Sequence, residues 1–270
     1  MNTVLRAAVE SGEVLVRQRR RRASDALPVP LQLQVLEPDY LDHDRTEALP
    51  DRGWITQGVE RSRLGVRRRY WLYPEHPGDP IGYRGLVSRP YPAAQFLHLY
   101  RLDRPGQERG VPWGTGAMMR LRMLDDYQDA QLERQRIAAC YMAFRKPGID
   151  AEPVDLGDIT LAEKVEPGLI EDLPQGWDMS FATPPQPEDD KEFQLSVLRA
   201  VSADYGIPYE VLTGDLSEVN FSSARMGWNE FARNIEAWRW QLLATQFLEP
   251  VAQWFREAAA LVGVEVREER

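Results

Sequence analysis

Apolar residues in the first part of the chain come in short runs, Val14–Val16, Leu31–Leu36, Trp54–Val59, Arg69–Tyr73 and Gln95–Tyr100, divided by Pro, Gly and Asp clusters. Short runs bounded by turn formers predict strands, so residues 13–108 are expected to form a β-rich unit. Within it Leu31-Gln32-Leu33-Gln34-Val35 alternates strictly, the pattern of a half-buried strand, and Glu37-Pro38-Asp39 closes it. Residues 2–10 read as the end of a helix arriving from upstream.

The pattern changes after Gly116. From there to Arg145 no Pro or Gly interrupts a stretch rich in Met, Leu, Arg, Gln and Ala, which predicts one helix of about thirty residues, roughly 45 Å long. Met123, Tyr127, Ala130, Ile137, Tyr141 and Phe144 are expected to form its apolar face, and Asp125, Asp129 and Glu133 an acidic row on another. Pro147-Gly148 ends it. Residues 150–192 are acidic and proline-rich, with PPQPEDDKE at 184–192 a solvated loop. A further helix is predicted from about Asp189 to Tyr205, carrying Phe193, Leu195, Val197, Leu198 and Val201, and stopping at Gly206 ahead of Pro208. After the loop Gly214–Ser222, a last helix begins at Ser222 or Ser223, with Trp228, Phe231, Ile235, Trp238 and Leu242 at three- and four-residue steps. Pro250 should kink or divide it. The expected fold class is α+β.

Composition narrows the function classes. With 270 residues, 43% hydrophobic and 28% charged, the chain has material for a substantial core. Its 33 basic and 42 acidic residues leave a net charge of -9, which opposes coating nucleic acid by bulk charge. The charge is uneven: residues 1–113 hold 18 Lys/Arg and 14 Asp/Glu, and residues 114–270 hold 15 and 28. No stretch approaches the run of about eighteen apolar residues a membrane span needs, and MNTVLRAAVESGE lacks the apolar core of a signal peptide, so a soluble protein with no membrane partner is expected. The single Cys140 admits no intramolecular disulfide, fits a reducing compartment, and reads as a small core residue.

The sequence contains no G-x-x-x-x-G-K-[ST], H-E-x-x-H or G-x-S-x-G, so nucleotide hydrolysis and common hydrolase chemistry lose support, and no catalytic, cofactor or metal site is expected. His43, His76 and His98 are scattered and read as structural. Gly114-Thr115-Gly116 reads as a helix entry in preference to an anion site. Arg17 with Arg19, Arg20, Arg21 and Arg22 forms the dense basic run, a solvated hairpin tip whose functional reading is a phosphate or protein-partner contact. Asp125-Asp126 and Asp189-Asp190 lack calcium-loop spacing and read as surface charge. Two alternatives stay open: a metal-dependent DNA-processing enzyme using the Asp pairs, and a DNA-binding regulatory protein using the arginine run. The second would need a basic recognition helix where strand signals stand.

Five separated segments carry a resemblance. They are Gly12-Glu13 before an apolar run, RPGQERGVPW at 104–113, DDYQDAQLERQRIAAC at 125–140, PGLIEDLPQG at 167–176 and, most specific, DYGIPYEVLTGDLSEVNFSSAR at 204–225. In order and spacing, from about residue 10 to about residue 260, they resemble the lambda-type phage portal protein family. The resemblance implies a portal-like α+β fold: residues 1–12 end an upstream stem helix, 13–108 form a β-rich clip-like domain, 114–146 a long stem-type helix, and 150–270 a wing and tunnel region with the C-terminal helices. It also implies a longer subunit, with a helical segment ahead of the Gly-Glu motif, so that this chain corresponds to a portal core without that part. The implied assembly is a ring of about twelve subunits at one capsid vertex, through which double-stranded DNA is packaged and ejected. The implied partners are further copies of the chain, the DNA, the terminase large subunit as a separate motor, a head-completion or tail connector protein, and the capsid protein. The implied location is the virion vertex, with assembly in the host cytoplasm. The loop 214–222 is placed near the channel, with Asn220, Ser222 and Ser223 offering neutral contacts and Arg225 bridging to an adjacent subunit.

Overall fold

The computed structural model describes residues 1–79, 87–139, 143–147, 177–181, 190–217 and 221–264. Cys140, Tyr141, the segment 167–176, most of the loop 184–192 and Asn220 lie outside the described residues, as do the side chains of Ser222 and Ser223. The chain divides into two compact units, Met1–Ala117 with Val201–Arg270, and Met118–Ala200.

In the first unit α1 (Asn2–Glu10) leads into β1 (Glu13–Arg20), followed by β2 (Leu31–Leu36), β3 (Glu47–Ala48), β4 (Trp54–Thr56), β5 (Val59–Arg61), β6 (Arg67–Leu72), β7 (Arg89–Pro92) and β8 (Phe96–Tyr100). They form two antiparallel sheets, ordered β2-β1-β8 and β3-β4-β5-β6-β7. Side chains alternate across a strand, so β1 serves two cores. Val14 and Val16 pack with Val4, Ala8, Leu99, Trp113, Leu242 and Phe247. Leu15 packs with Leu36, Leu41, Val59, Tyr70, Leu72 and Phe96 between the sheets. Burial on both faces explains why Val14–Val16 is continuously apolar.

Two strand readings need correction. Residues 54–59 are a hairpin and not a single run: Gln57 (φ 48°) and Gly58 (φ 80°) make the two-residue turn between β4 and β5, a geometry whose positive φ values suit glycine at the second position. The alternating β2 forms but is not half-buried, because it is the edge strand; Leu33 and Val35 are 38% and 39% exposed and only Leu36 is buried.

C-terminal to Ala200 the chain enters the first unit through the end of α3 (Asp190–Tyr205), stopped by Gly206 at φ 69°. Then come α4 (Tyr209–Thr213), α5 (Phe221–Trp238), a ten-residue π-helical stretch Arg239–Leu248, and α6 (Glu249–Leu261). Pro250 sits near the start of α6, but Leu248 and Glu249 are both in helical conformation, so the helix runs on from the π-helical stretch through the predicted break. The π-helix ahead of it has no signature in the residue pattern. Inside it the Thr245 hydroxyl donates to the carbonyls of Trp240 (3.1 Å) and Gln241 (2.9 Å). The widened turn carries Gln246, whose amide accepts from the Tyr100 N–H (3.2 Å) and donates to the Tyr100 carbonyl (3.2 Å), serving the free edge of β8 as a strand neighbour would.

The second unit holds α2 (Met118–Ala139), β9 (Ala143–Pro147), β10 (Trp177–Phe181) and most of α3. The predicted thirty-residue helix is 22 residues long. Residues 143–147 leave it to pair antiparallel with 177–181, from Ala143 opposite Phe181 to Pro147 opposite Trp177. Local propensity favoured helix there, and a strand from far along the sequence overrides it. The apolar face also differs: Leu124 is buried and Tyr127 half-buried against Phe193 (ring centroids 4.6 Å apart), whereas Met123 is 59% exposed and Ala130 exposed. Polar and charged residues surround this helix on every side, so several stripes compete and the sequence alone does not choose between them. Asp125, Asp129 and Glu133 are exposed together, as expected. Among the described residues no helix is long and apolar enough to cross a membrane.

Candidate functional site

The chain enters and leaves its β-rich segment at one point, and a buried polar cluster holds that crossing. Glu13, 1% exposed, opens β1. Its carboxylate accepts from His98 Nε2 (2.8 Å), from the Gly110 N–H (2.7 Å) and from the Arg109 guanidinium. Arg109 also donates to the Gln57 carbonyl (3.0 Å), and its neighbour Glu108 pairs with Arg61 (2.6 Å). Burial pushes the Glu13 carboxyl up, but the hydrogen bond and electrostatic attraction of His98, and then those of the Arg109 guanidinium, outweigh it and hold the group at about 2. His98 is fully buried, which lowers its pKa and favours the neutral ring, with its Nε2 proton on the bond to Glu13.

Backbone approaches set this geometry. Gly12 has φ +84° and a Cβ there would lie 2.3 Å from the Val111 carbonyl carbon; a Cβ on Gly110 would lie 2.2 Å from the Gly12 oxygen. Only glycine admits strands this close. Gln107 staples the loop before the crossing: its Oε1 accepts from the Asp103 N–H (2.8 Å) and its Nε2 donates to the carbonyls of Arg101 (3.2 Å) and Arg109 (2.9 Å). The segment RPGQERGVPW is therefore a turn, a staple, two ion-pairing residues and a close-contact glycine in sequence.

Its last residue reaches the C-terminal helices. Trp113 stacks on Trp238 (centroids 4.8 Å apart) under the Arg101 guanidinium (4.8 Å). Tyr205 lies where a Cβ on Gly114 would be, 2.1 Å from its hydroxyl, and Asp204 does the same for Gly116 at 2.4 Å. Gly114-Thr115-Gly116 is thus a seat for Asp204-Tyr205-Gly206, and Asn234 donates to the Gly206 carbonyl (3.1 Å) to fix the second side. Three segments that carry the resemblance, at residues 12–13, 104–113 and 204–206, meet in one contiguous packing unit.

The other site residues read from sequence do not join this cluster. Arg17 lies within β1 and not at a hairpin tip; its guanidinium stacks over Tyr91 (4.4 Å) and Phe96 (5.3 Å) and donates to Gln95 (3.3 Å). Arg19, Arg20, Arg21 and Arg22 follow it, exposed, along the overhang of the hairpin. Arg225 is exposed on α5, and among the described residues no carboxylate lies within ion-pair distance of it. The loop after α4 is a chain of caps: Gly214 at φ 71°, the Asp215 N–H on Thr213 (3.2 Å) and the Ser217 N–H on Asp215 (3.0 Å).

Asp125 and Asp126 gather no third metal ligand among the described residues. Glu37, Asp39 and His76 do bring ligand atoms within 4.8 Å of one another. The hydrogen bonds give that group another role. The Gly78 N–H donates to His76 Nδ1 (3.0 Å), so the neutral ring carries its proton on Nε2, facing Glu37 at 3.2 Å. A histidine ligand requires the reverse, a free lone pair toward the ion and an N–H donated away from it.

Sequence reading missed the Glu13, His98 and Arg109 cluster as a unit, although two signals were present. An acid opening an apolar strand and a histidine within the apolar run 96–100 both demand buried partners. Which partner each one takes, 85 and 96 residues away, is a property of the tertiary fold.

The portal-type reading of these segments agrees with comparison to known proteins. The model of the lambda family of phage portal proteins matches residues 1–239. A probable portal protein of Halomonas phage phiHAP-1 is 27% identical over 252 residues, covering 86% of this chain and 46% of its own length. Portal protein B of Escherichia phage lambda is 23% identical over 200 residues, covering 64% of this chain and 38% of its own. The chain thus spans about half the length, or less, of these curated relatives. Among solved structures, a chain in the neck of a native gene transfer agent particle, computed with C12 symmetry, superposes with a TM-score of 0.54 at 14% identity, covering 94% of this chain and 66% of that one. With the family model spanning the crossing cluster and most of the helices packed on it, the chain belongs to the lambda family of phage portal proteins.

Proposed function

We propose that this chain is the core of a portal subunit, one of about twelve that form a ring at a capsid vertex through which double-stranded DNA passes in packaging and ejection. The observation that carries this reading is the meeting of residues 12–13, 104–113 and 204–206, three of the segments that carry the family resemblance, in one buried crossing that ties the β-rich segment to the helices. In this reading residues 13–108 are the clip, α2 within 114–146 belongs to the stem, and 150–270 contribute wing and tunnel. The exposed acidic row Asp125, Asp129 and Glu133 suits a wall along which DNA slides, since each Lys or Arg contact to phosphate adds salt-dependent affinity and hence friction. The role is structural and not enzymatic: the terminase large subunit supplies the motor, and a head-completion or tail connector protein and the capsid protein are the other partners. In the same reading Arg225, exposed on α5, reaches a neighbouring subunit.

Electron microscopy of the purified chain, and of the same reading frame extended upstream, tests this. Rings with a central hole wide enough for duplex DNA are expected from the extended form. Uniform monomers from both would overturn the reading.

A further inference from the structure

The hairpin β1–β2 outruns its sheet. The β1–β8 register ends at Arg17 opposite Phe96, while β1–β2 continues to Arg20 opposite Leu31. Where β8 would have continued there is a groove of about 590 Å³ lined by Arg17, Gln18, Arg19, Arg20, Arg21 and Gln95. Among the described residues Arg20 pairs loosely with Glu257 at 3.9 Å, and Asp25 accepts from the Arg22 N–H (3.1 Å). Among the described residues no carboxylate lies within ion-pair range of the Arg17, Arg19 or Arg21 side chain: Arg17 and Arg21 use Gln95 and Gln32 as neutral acceptors. Burial and the adjacent Arg19 lower the pKa of Arg17, so these cations crowd one another without counter-charge.

The groove also exposes backbone. The Arg21 N–H donates to the Pro30 carbonyl (2.9 Å), and antiparallel alternation then turns the N–H and C=O of Arg20 away from β2 toward the open side. An edge offering both a donor and an acceptor suits a polypeptide, which has both, and not a phosphate backbone, which offers acceptors only. The net charge of -9 further disfavours a duplex at this surface. We propose that this groove docks an extended, carboxylate-rich segment of a partner protein, laid along the β1 overhang with its Asp and Glu side chains on Arg17, Arg19 and Arg21. The overhang from Gln18 to Arg21 spans roughly 13 Å, room for about four residues of such a segment.

Fluorescence anisotropy with the full chain and a labelled peptide of about eight residues alternating Glu and Thr tests this, with a Lys-Thr peptide and a short DNA duplex as comparators. The Glu peptide is expected to bind with a Kd of about 10 μM, weakening as salt rises, and the Lys peptide not at all. Arg19→Glu with Arg21→Glu should weaken it by about tenfold or more, while Arg6→Glu with Arg233→Glu, an equal charge change elsewhere, should leave it within about twofold. Arg20→Pro, which removes the edge N–H, should weaken binding about threefold beyond Arg20→Gln, which removes only the charge. Failure of the Glu peptide to bind, equal loss from the two charge-reversal pairs, or tighter binding of the duplex through the same arginines would overturn the proposal. Equal affinities for the two Arg20 variants would overturn seating along the strand edge.

Discussion

Replacing Glu13 with Gln keeps the size and one acceptor of the side chain but removes the charge that faces Arg109 and His98. The carboxyl sits at about 2 in the folded chain against 4.5 unfolded, a difference equivalent to about 3 kcal/mol of stability at neutral pH. Arg109, with its side chain 16% exposed, would be left without a counter-charge, a loss of the same order in buried pairs. Glu13→Gln should therefore cost about 3 kcal/mol at pH 7, read by urea denaturation followed through tryptophan fluorescence. The sign is set by a lowered carboxyl pKa: the contribution is complete above pH 4.5 and is lost as pH falls toward 2. At pH 3 about 2 kcal/mol of it is gone, so the gap between native and variant chains should narrow to about 1 kcal/mol. His98 adds an earlier decline common to both chains, because the unfolded chain takes up a proton below pH 6.5 that the buried ring resists. In Glu13→Gln with Arg109→Gln the losses should be well short of additive. A cost under about 1 kcal/mol at pH 7, or a gap that does not change between pH 7 and pH 3, would refute the charge-based account.

Gly110→Ala should destabilise the chain by more than about 2 kcal/mol or prevent folding, since its Cβ would meet backbone 2.2 Å away; soluble yield and thermal melting check this. Trp238→Ala removes the half-buried ring against Trp113 and should cost about 2–3 kcal/mol by denaturant midpoint, with quenched or shifted tryptophan emission. Gln246→Ala frees both backbone groups of Tyr100 at the β8 edge and should cost about 1–2 kcal/mol, with faster amide exchange at Tyr100. Arg225→Ala in the upstream-extended protein should shift rings toward monomers on size-exclusion chromatography with an almost unchanged monomer melting temperature; intact rings would remove Arg225 from the subunit contact.

Much of the local structure was legible in the residues themselves. The strands at 14–16, 31–36, 69–73 and 95–100 and the stop at Gly206 follow from short-range rules, because turn formers and special backbone angles act over a few residues. The family segments were also legible, since RPGQERGVPW and DYGIPYEVLTGD are distinctive strings. Why those strings are needed was not. Gly12 meets Val111, Gly114 meets Tyr205, and Glu13 meets His98 and Arg109, each contact joining residues 85 or more positions apart. Tertiary structure likewise cut the long helix at Ala139 by pairing 143–147 with 177–181, turned β2 into an exposed edge, and widened 239–248 into a π-helix that delivers Gln246 to β8. The division has one physical cause. Propensity and periodicity report the energy of a segment with its own neighbours, whereas burial, ion pairing and strand partnership depend on which distant surface arrives, and a single chain's pattern does not encode that directly.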